Sequence, residues 1–172
     1  MSTSTEPATE QTVTWLTAEQ QVHWRSFRQG VARLLGVLEH ELDAQSGLST
    51  HEYEVLVRLS EAPGRTLRMA QLAENIAHSR SRLTHTIRRM EESGLVARVP
   101  CESDARGVNA TMTDKGWETL VAAAPGHVQS VRDHLVDVLT PEQFAALGDA
   151  METVRVHLTG GACHAVEGLD AC

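Results

Sequence analysis

Apolar residues recur along most of this chain with the period of an α-helix, and in one place with the period of a strand. Val22, Phe27, Val31, Leu34, Leu35, Leu38 and Leu42 share a face of a helix that Thr17-Ala-Glu-Gln20 opens as a capping box and that runs to about Ala44. Ser46-Gly-Leu-Ser49 reads as a turn, and Ser49-Thr-His-Glu52 as a second capping box. The helix it opens turns Tyr53, Leu56, Val57 and Leu59 inward and ends at Ala62-Pro-Gly64. Thr66-Leu67-Arg68 is short enough to be a single extended step. Met69, Leu72, Ala73 and Ile76 then mark a short helix to Ala77. After a break of only a few residues, Leu83, Ile87 and Met90 mark another at i, i+4 and i+7. Ser79 is placed to cap that helix and Gly94 to end it in the left-handed conformation.

The period then changes. Leu95 to Val99 has strand composition, and Val108, Ala110 and Met112 alternate with polar residues. The Pro- and Gly-punctuated segment from Pro100 to Gly107 makes the pair a hairpin. Thr113 caps a further helix, whose stripe of Trp117, Leu120, Val121, Val128, Val131, Leu135 and Val138 is expected to bend or break at Pro125-Gly126. Thr140-Pro-Glu-Gln143 is an N-cap, a first-turn proline and a capping glutamine in series. Phe144, Leu147, Met151, Val154 and Leu158 face one side of the last helix, and Gly160-Gly161 stops it. The pattern predicts a mainly α fold with a small β-hairpin, an α+β arrangement in which helix, turn, helix and hairpin form a winged helix-turn-helix.

Charge changes the picture because of where it lies. The chain of 172 residues carries a net charge of −8, which taken alone argues against a polyanionic partner. Yet residues 62–112 hold eight arginines against five acids, and all the excess negative charge lies outside them. An acidic body with a basic middle suits local phosphate binding. From Ile76 to Met90 there are four arginines and no carboxylate. Opposite the apolar stripe stand Ser81, Thr84, His85 and Arg88, with Arg80, Arg82 and Arg89 beside them and the Ser79 amide at the helix start. Arginine pairs with guanine edges, and small hydroxyls reach bases or phosphates, so this face suits the major groove of double-stranded DNA. Arg106, near the hairpin tip, is placed for the minor groove, with Asp104 holding it by a charge-assisted hydrogen bond. Glu91 and Glu92 are expected to be solvated or paired with Arg88 and Arg89.

This order of elements resembles the MarR family of bacterial transcriptional regulators. The resemblance rests on Leu72-Ala73, Ser79 to Met90, Glu91-Glu-Ser-Gly-Leu-Val96, the wing tip Asp104-Ala-Arg-Gly107 and Thr113-Asp-Lys-Gly116, and covers about Leu48 to Gly116. It implies a cytoplasmic homodimeric repressor that binds a pseudo-palindromic operator, with helix 79–93 in the major groove and wing 100–107 in the minor groove. It also implies release by a small phenolic or anionic effector, or by cysteine oxidation. The implied organisation is a disordered tail at 1–14, an N-terminal dimerisation helix at 15–46 and a winged helix-turn-helix at 47–116. C-terminal dimerisation helices at 117–160 and a flexible tail at 161–172 complete it.

Other chemistry finds little footing. No apolar run approaches the roughly 18 residues of a membrane span, so no membrane partner is expected. Aromatic residues make up 3% of the chain, too few for a single-strand stacking platform. The nine histidines and three cysteines form no His-x3-His or Cys-x2-Cys spacing, so no metal site is expected. The peroxide-sensing branch of the family keeps its reactive cysteine in the N-terminal helix, where this chain has none. Cys101 next to the wing is the one placed for a thiol switch. No nucleophile elbow or phosphate-binding glycine loop is present, so neither catalytic residues nor a cofactor is expected. The alternative function is a dimeric winged-helix protein–protein adaptor without DNA specificity.

Overall fold

The computed structural model describes residues 13–76, 80–101 and 104–160, except for the side chains of residues 75, 80 and 104–106. The chain divides into two compact units, Met1–Leu35 and Gly36–Cys172. Helix α1 (Ala18–Ser46) runs from the first into the second. Its predicted capping box forms: the Thr17 amide donates to Gln20 Oε1 at 2.9 Å, and the Gln20 amide to Thr17 Oγ1 at 3.1 Å. Within the first unit, Trp24 stacks on Phe27 with ring centroids 6.1 Å apart. Val22, Trp24, Phe27, Val31 and Leu35 stay exposed.

In the second unit the elements run α2 (Thr50–Glu61), β1 (Thr66–Arg68), α3 (Met69–Asn75), α4 (Arg80–Glu92), β2 (Val96–Cys101), β3 (Asp104–Met112), α5 (Asp114–Val131) and α6 (Pro141–Leu158). The strands form an antiparallel sheet in the order β1-β3-β2, with Thr66 opposite Thr111 and Val96 opposite Met112. The short Thr66–Arg68 step is thus a true strand. Its backbone pairs with β3, and the Thr66 and Thr111 hydroxyls lie 3.0 Å apart. The hairpin arms are longer than the pattern of apolar residues indicates, because β2 continues through Pro100 to Cys101 and β3 begins at Asp104. Backbone pairing requires no apolar side chain, so the polar residues of the expected loop join the ladder.

The core gathers the stripe of each helix around the sheet. Val55, Leu56 and Leu59 of α2, Leu72 of α3, Leu83, Ile87 and Met90 of α4, and Val96, Ala110 and Met112 of the sheet are all buried. Leu42 of α1 and Leu120 and Ala123 of α5 extend it.

Helix α5 does not break at Pro125-Gly126. It runs unbroken through Pro125, then continues as a π-helical turn over Arg132–Val136 in which the Asp137 amide donates to the Arg132 carbonyl at 2.9 Å. A proline removes one backbone hydrogen bond and crowds the preceding turn. Here buried Leu120 and Ala123 lie before it and buried Ser130 after it, so packing on both sides holds the helix together. Ser130 Oγ donates to Glu41 Oε2 at 2.5 Å, and His134 Nε2 lies 2.8 Å from Glu41 Oε1. These contacts, the Ser130 hydroxyl first, draw the Glu41 carboxyl below its usual range. His127 packs its ring 4.5 Å from that of Tyr53. Helix α6 opens with its Thr140–Gln143 capping box and has no buried residue, leaving Phe144, Leu147, Val154 and Leu158 exposed. Among the described residues no helix is long and apolar enough to cross a membrane, and no group of three or more His, Cys, Asp or Glu is arranged to hold a metal ion.

Two consequences for stability are testable. A Cβ added at Gly116 would stand 2.2 Å from the Leu95 carbonyl oxygen, a backbone atom with no room to yield. Gly116→Ala is expected to cost about 1–3 kcal/mol in urea denaturation, and an unchanged midpoint would contradict the close approach. Burial lowers the pKa of His127, so below about pH 6.5 the unfolded chain takes up the proton more readily than the folded one. That contribution to stability is present above this pH and is lost as pH falls toward the folded value. His127→Phe should therefore flatten the fall in Tm between about pH 7 and pH 5. A variant with the wild-type pH profile would show that the ring does not titrate in this way.

Candidate nucleic-acid interface

Helix α4 is held by its apolar stripe. Leu83, Ile87 and Met90 are at most 3% exposed. Burying this one stripe of a helix with 3.6 residues per turn fixes the helix's rotation about its axis. Ser81, Arg82, Thr84, His85, Arg88 and Arg89 are all exposed as a result. Arg80 begins the helix, while Ser79 and the Arg80 side chain lie outside the described residues, as does the expected cap.

The end of α4 is built to stop at one place. Gly94 has φ 72°. Its amide donates to the Glu91 carbonyl at 2.9 Å, and the Leu95 amide donates to the Met90 carbonyl at 2.8 Å. This pair of bonds is a Schellman motif, which needs a residue that tolerates the left-handed conformation. Leu95 then enters the core, and its carbonyl accepts from the Thr113 amide and hydroxyl, each at 3.1 Å. Thr113 Oγ1 also accepts from the Gly116 amide at 3.0 Å, capping α5. The Thr-Asp-Lys-Gly segment therefore joins the end of α4 to the start of α5. Its threonine makes most of the bonds, its lysine adds one from Nζ to the Ser93 carbonyl at 2.7 Å, and its glycine allows the backbones to meet.

Ion pairs distribute the charged residues differently from the sequence expectation. Glu92 does pair with Arg88, at 3.0 Å, and both side chains are well exposed. Glu91 instead reaches β2: the Arg98 amide donates to its Oε1 at 3.0 Å and Arg98 Nε to its Oε2 at 2.6 Å. The Arg98 guanidinium holds the Glu91 carboxyl below its usual range, and the carboxylate raises the pKa of Arg98 in turn. Arg89 NH2 lies 3.2 Å from Oε1 of Glu52, a carboxylate on α2. The sequence marks Glu52 only as a capping residue. Its second partner lies 37 positions away and has no local signal.

The wing is the β2–β3 hairpin. Asp104 and Arg106 belong to β3, but their side chains, and so the proposed bond between them, fall outside the described part. Cys101 ends β2 half-buried, and Arg68 NH2 donates to its Sγ at 3.2 Å across the sheet. That contact also has no signature in the sequence, because β1 is too short to display a period.

Comparison with known proteins places this arrangement. The sequence profile of the MarR family matches residues 46–107. The structure is similar to Sco3205 of Streptomyces coelicolor, a MarR family transcriptional regulator crystallised in complex with DNA. Identity is 44% and the TM-score 0.82, covering 84% of this chain and 94% of that one. AbsC, a MarR family transcriptional regulator from the same organism, is 43% identical with a TM-score of 0.82, over 86% of this chain and 99% of its own. The transcriptional regulator PecS of Dickeya dadantii is 29% identical over 113 residues, 64% of this chain and 67% of PecS. With its buried α4 stripe, its three-stranded wing sheet and identity above 40% over almost the full length of two such regulators, the chain belongs to the MarR family of transcriptional regulators.

Proposed function

We propose that this protein is a homodimeric, DNA-binding repressor acting in the cytoplasm on a pseudo-palindromic operator, and not an enzyme. The observation that carries the reading is the exposed face of α4, where Ser81, Thr84, His85 and Arg88 stand opposite a buried stripe, flanked by exposed Arg82 and Arg89. That Sco3205 has been crystallised with DNA supports placing this face in the major groove. The β2–β3 wing then takes Arg106 to the adjacent minor groove, where the negative potential favours a guanidinium.

Unburied apolar surface supports the dimer. Phe144, Leu147, Val154 and Leu158 on α6 are exposed in the single chain, and so, separately, are Val22, Trp24 and Phe27 on α1. Helices with such stripes gain stability from a second copy that removes them from water. Two-fold symmetry in the protein then implies half-sites about one helical turn apart, roughly 10 bp. Release by a small phenolic or anionic effector rests on family resemblance.

Fluorescence anisotropy with a labelled operator duplex tests the reading. The logarithm of the affinity should fall steeply and linearly with the logarithm of salt concentration, by about 0.9 for each phosphate neutralised. Weak binding insensitive to salt would contradict it and favour a protein-facing α4. In the same assay, Arg106→Ala should weaken operator binding by about 1–3 kcal/mol, and an unchanged affinity would remove the wing from the interface. Ser81→Ala combined with His85→Ala should lower operator affinity more than affinity for random duplex. Equal losses on the two duplexes would reduce these residues to positioning contacts.

A further inference from the structure

We infer that Glu52 is a positioning residue for α4 and that Arg89 is committed to it, so that Arg89 supplies no phosphate contact. The inference rests on the DNA-binding reading of α4 and divides the exposed arginines of that helix by role.

Glu52 is buried at 5% exposure, within the first turn of α2. Its Oε2 accepts from the Ser49 amide at 3.0 Å and from Ser49 Oγ at 2.8 Å. Its Oε1 faces Arg89 NH2 at 3.2 Å. One oxygen thus closes the cap of α2 while the other holds α4. The carboxylate cannot follow a shift of α4 without uncapping α2.

Among the described residues Arg89 is the only cation in ion-pair contact with this carboxylate. A buried anion stripped of its cation bears an uncompensated desolvation cost. Turning Arg89 toward a phosphate would impose that cost, while the new pairing with phosphate would form at a surface where charge is screened. Arg88 differs in this respect. Its partner Glu92 is 62% exposed and Arg88 itself 71% exposed, so that pair breaks cheaply and the guanidinium can move to DNA. Adjacent arginines on one helix therefore do different work. Arg89 fixes the angle at which α4 presents Ser81 and His85, and Arg88 is available to the phosphate chain.

The full-length protein decides this in salt titrations against operator and random duplexes. Glu52→Gln is the informative partner variant, because a glutamine oxygen still accepts from the Ser49 amide while the charge is gone. Arg89→Gln is expected to keep the wild-type salt slope, lose about ten-fold in operator affinity and reduce the operator-to-random ratio. Glu52→Gln should lose a similar factor, and the double variant should lose no more than either single one. Arg88→Gln should instead lower the salt slope by about 0.9. A salt slope lowered by about 0.9 in Arg89→Gln overturns the inference whatever Glu52→Gln does. So do losses that simply add in the double variant. If Glu52→Gln does not fold, the slope of Arg89→Gln still decides. Wild-type protein that shows no salt-dependent duplex binding would remove the DNA reading itself and this inference with it, a result distinct from either variant outcome.

Discussion

Burial of Leu83, Ile87 and Met90 in the core, where α4 meets α2 and β2, is the constraint on which the rest of the winged unit depends. A helix that must hide one stripe has no freedom in what it shows on the other side. The polar face of α4 is outward because the core requires the opposite face. The same logic continues along the chain. Met90 receives the Schellman bond from Leu95, Leu95 receives Thr113, and Thr113 starts α5 at Gly116. The apolar stripe sets the rotation of the helix. The backbone bonds after it set where it stops and where the wing strands begin.

Electrostatics then sharpen what packing has placed. Glu91 ties α4 to β2 through Arg98, and Glu52 ties it to α2 through Arg89. The two carboxylates belong to different elements and join the same helix to two different neighbours. The helix period sets Arg88 opposite the apolar stripe and Arg80, Arg82 and Arg89 beside that face, but it names no partner for any of them. In the fold, Arg88 pairs with an exposed glutamate and Arg89 with a buried one. Net charge conceals this arrangement, since an overall −8 coexists with a basic segment that has its own internal order.

Features that depend on local periodicity were legible in the sequence. The α4 stripe, the boxes at Thr17, Ser49 and Thr140, the Thr113 cap and the stop at Gly94 each arise from residues within about one or two helical turns of one another. Features that depend on pairing across the chain were not. Thr66–Arg68 becomes a strand only because β3 lies beside it, and the hairpin arms extend through polar residues because backbone bonding does not depend on side-chain polarity. Pro125 carries a strong local signal to break α5, which burial on both sides overrides. The candidate interface divides the same way. Its exposed residues could be read from the helix period. The partner that restrains Arg89, Glu52, lies on another element, as does Arg98, which holds the half-buried Glu91.

What remains most open to direct test is whether the exposed face of α4 reads duplex sequence in a two-fold-symmetric assembly. Selection of bound duplexes from a random pool by the purified protein, at fixed salt, tests this without any assumption about the operator. The expected result is an enriched inverted repeat with half-site centres about one helical turn apart, roughly 10 bp. Recovery of no enriched sequence, or of a single half-site without symmetry, would contradict the dimeric DNA-reading role.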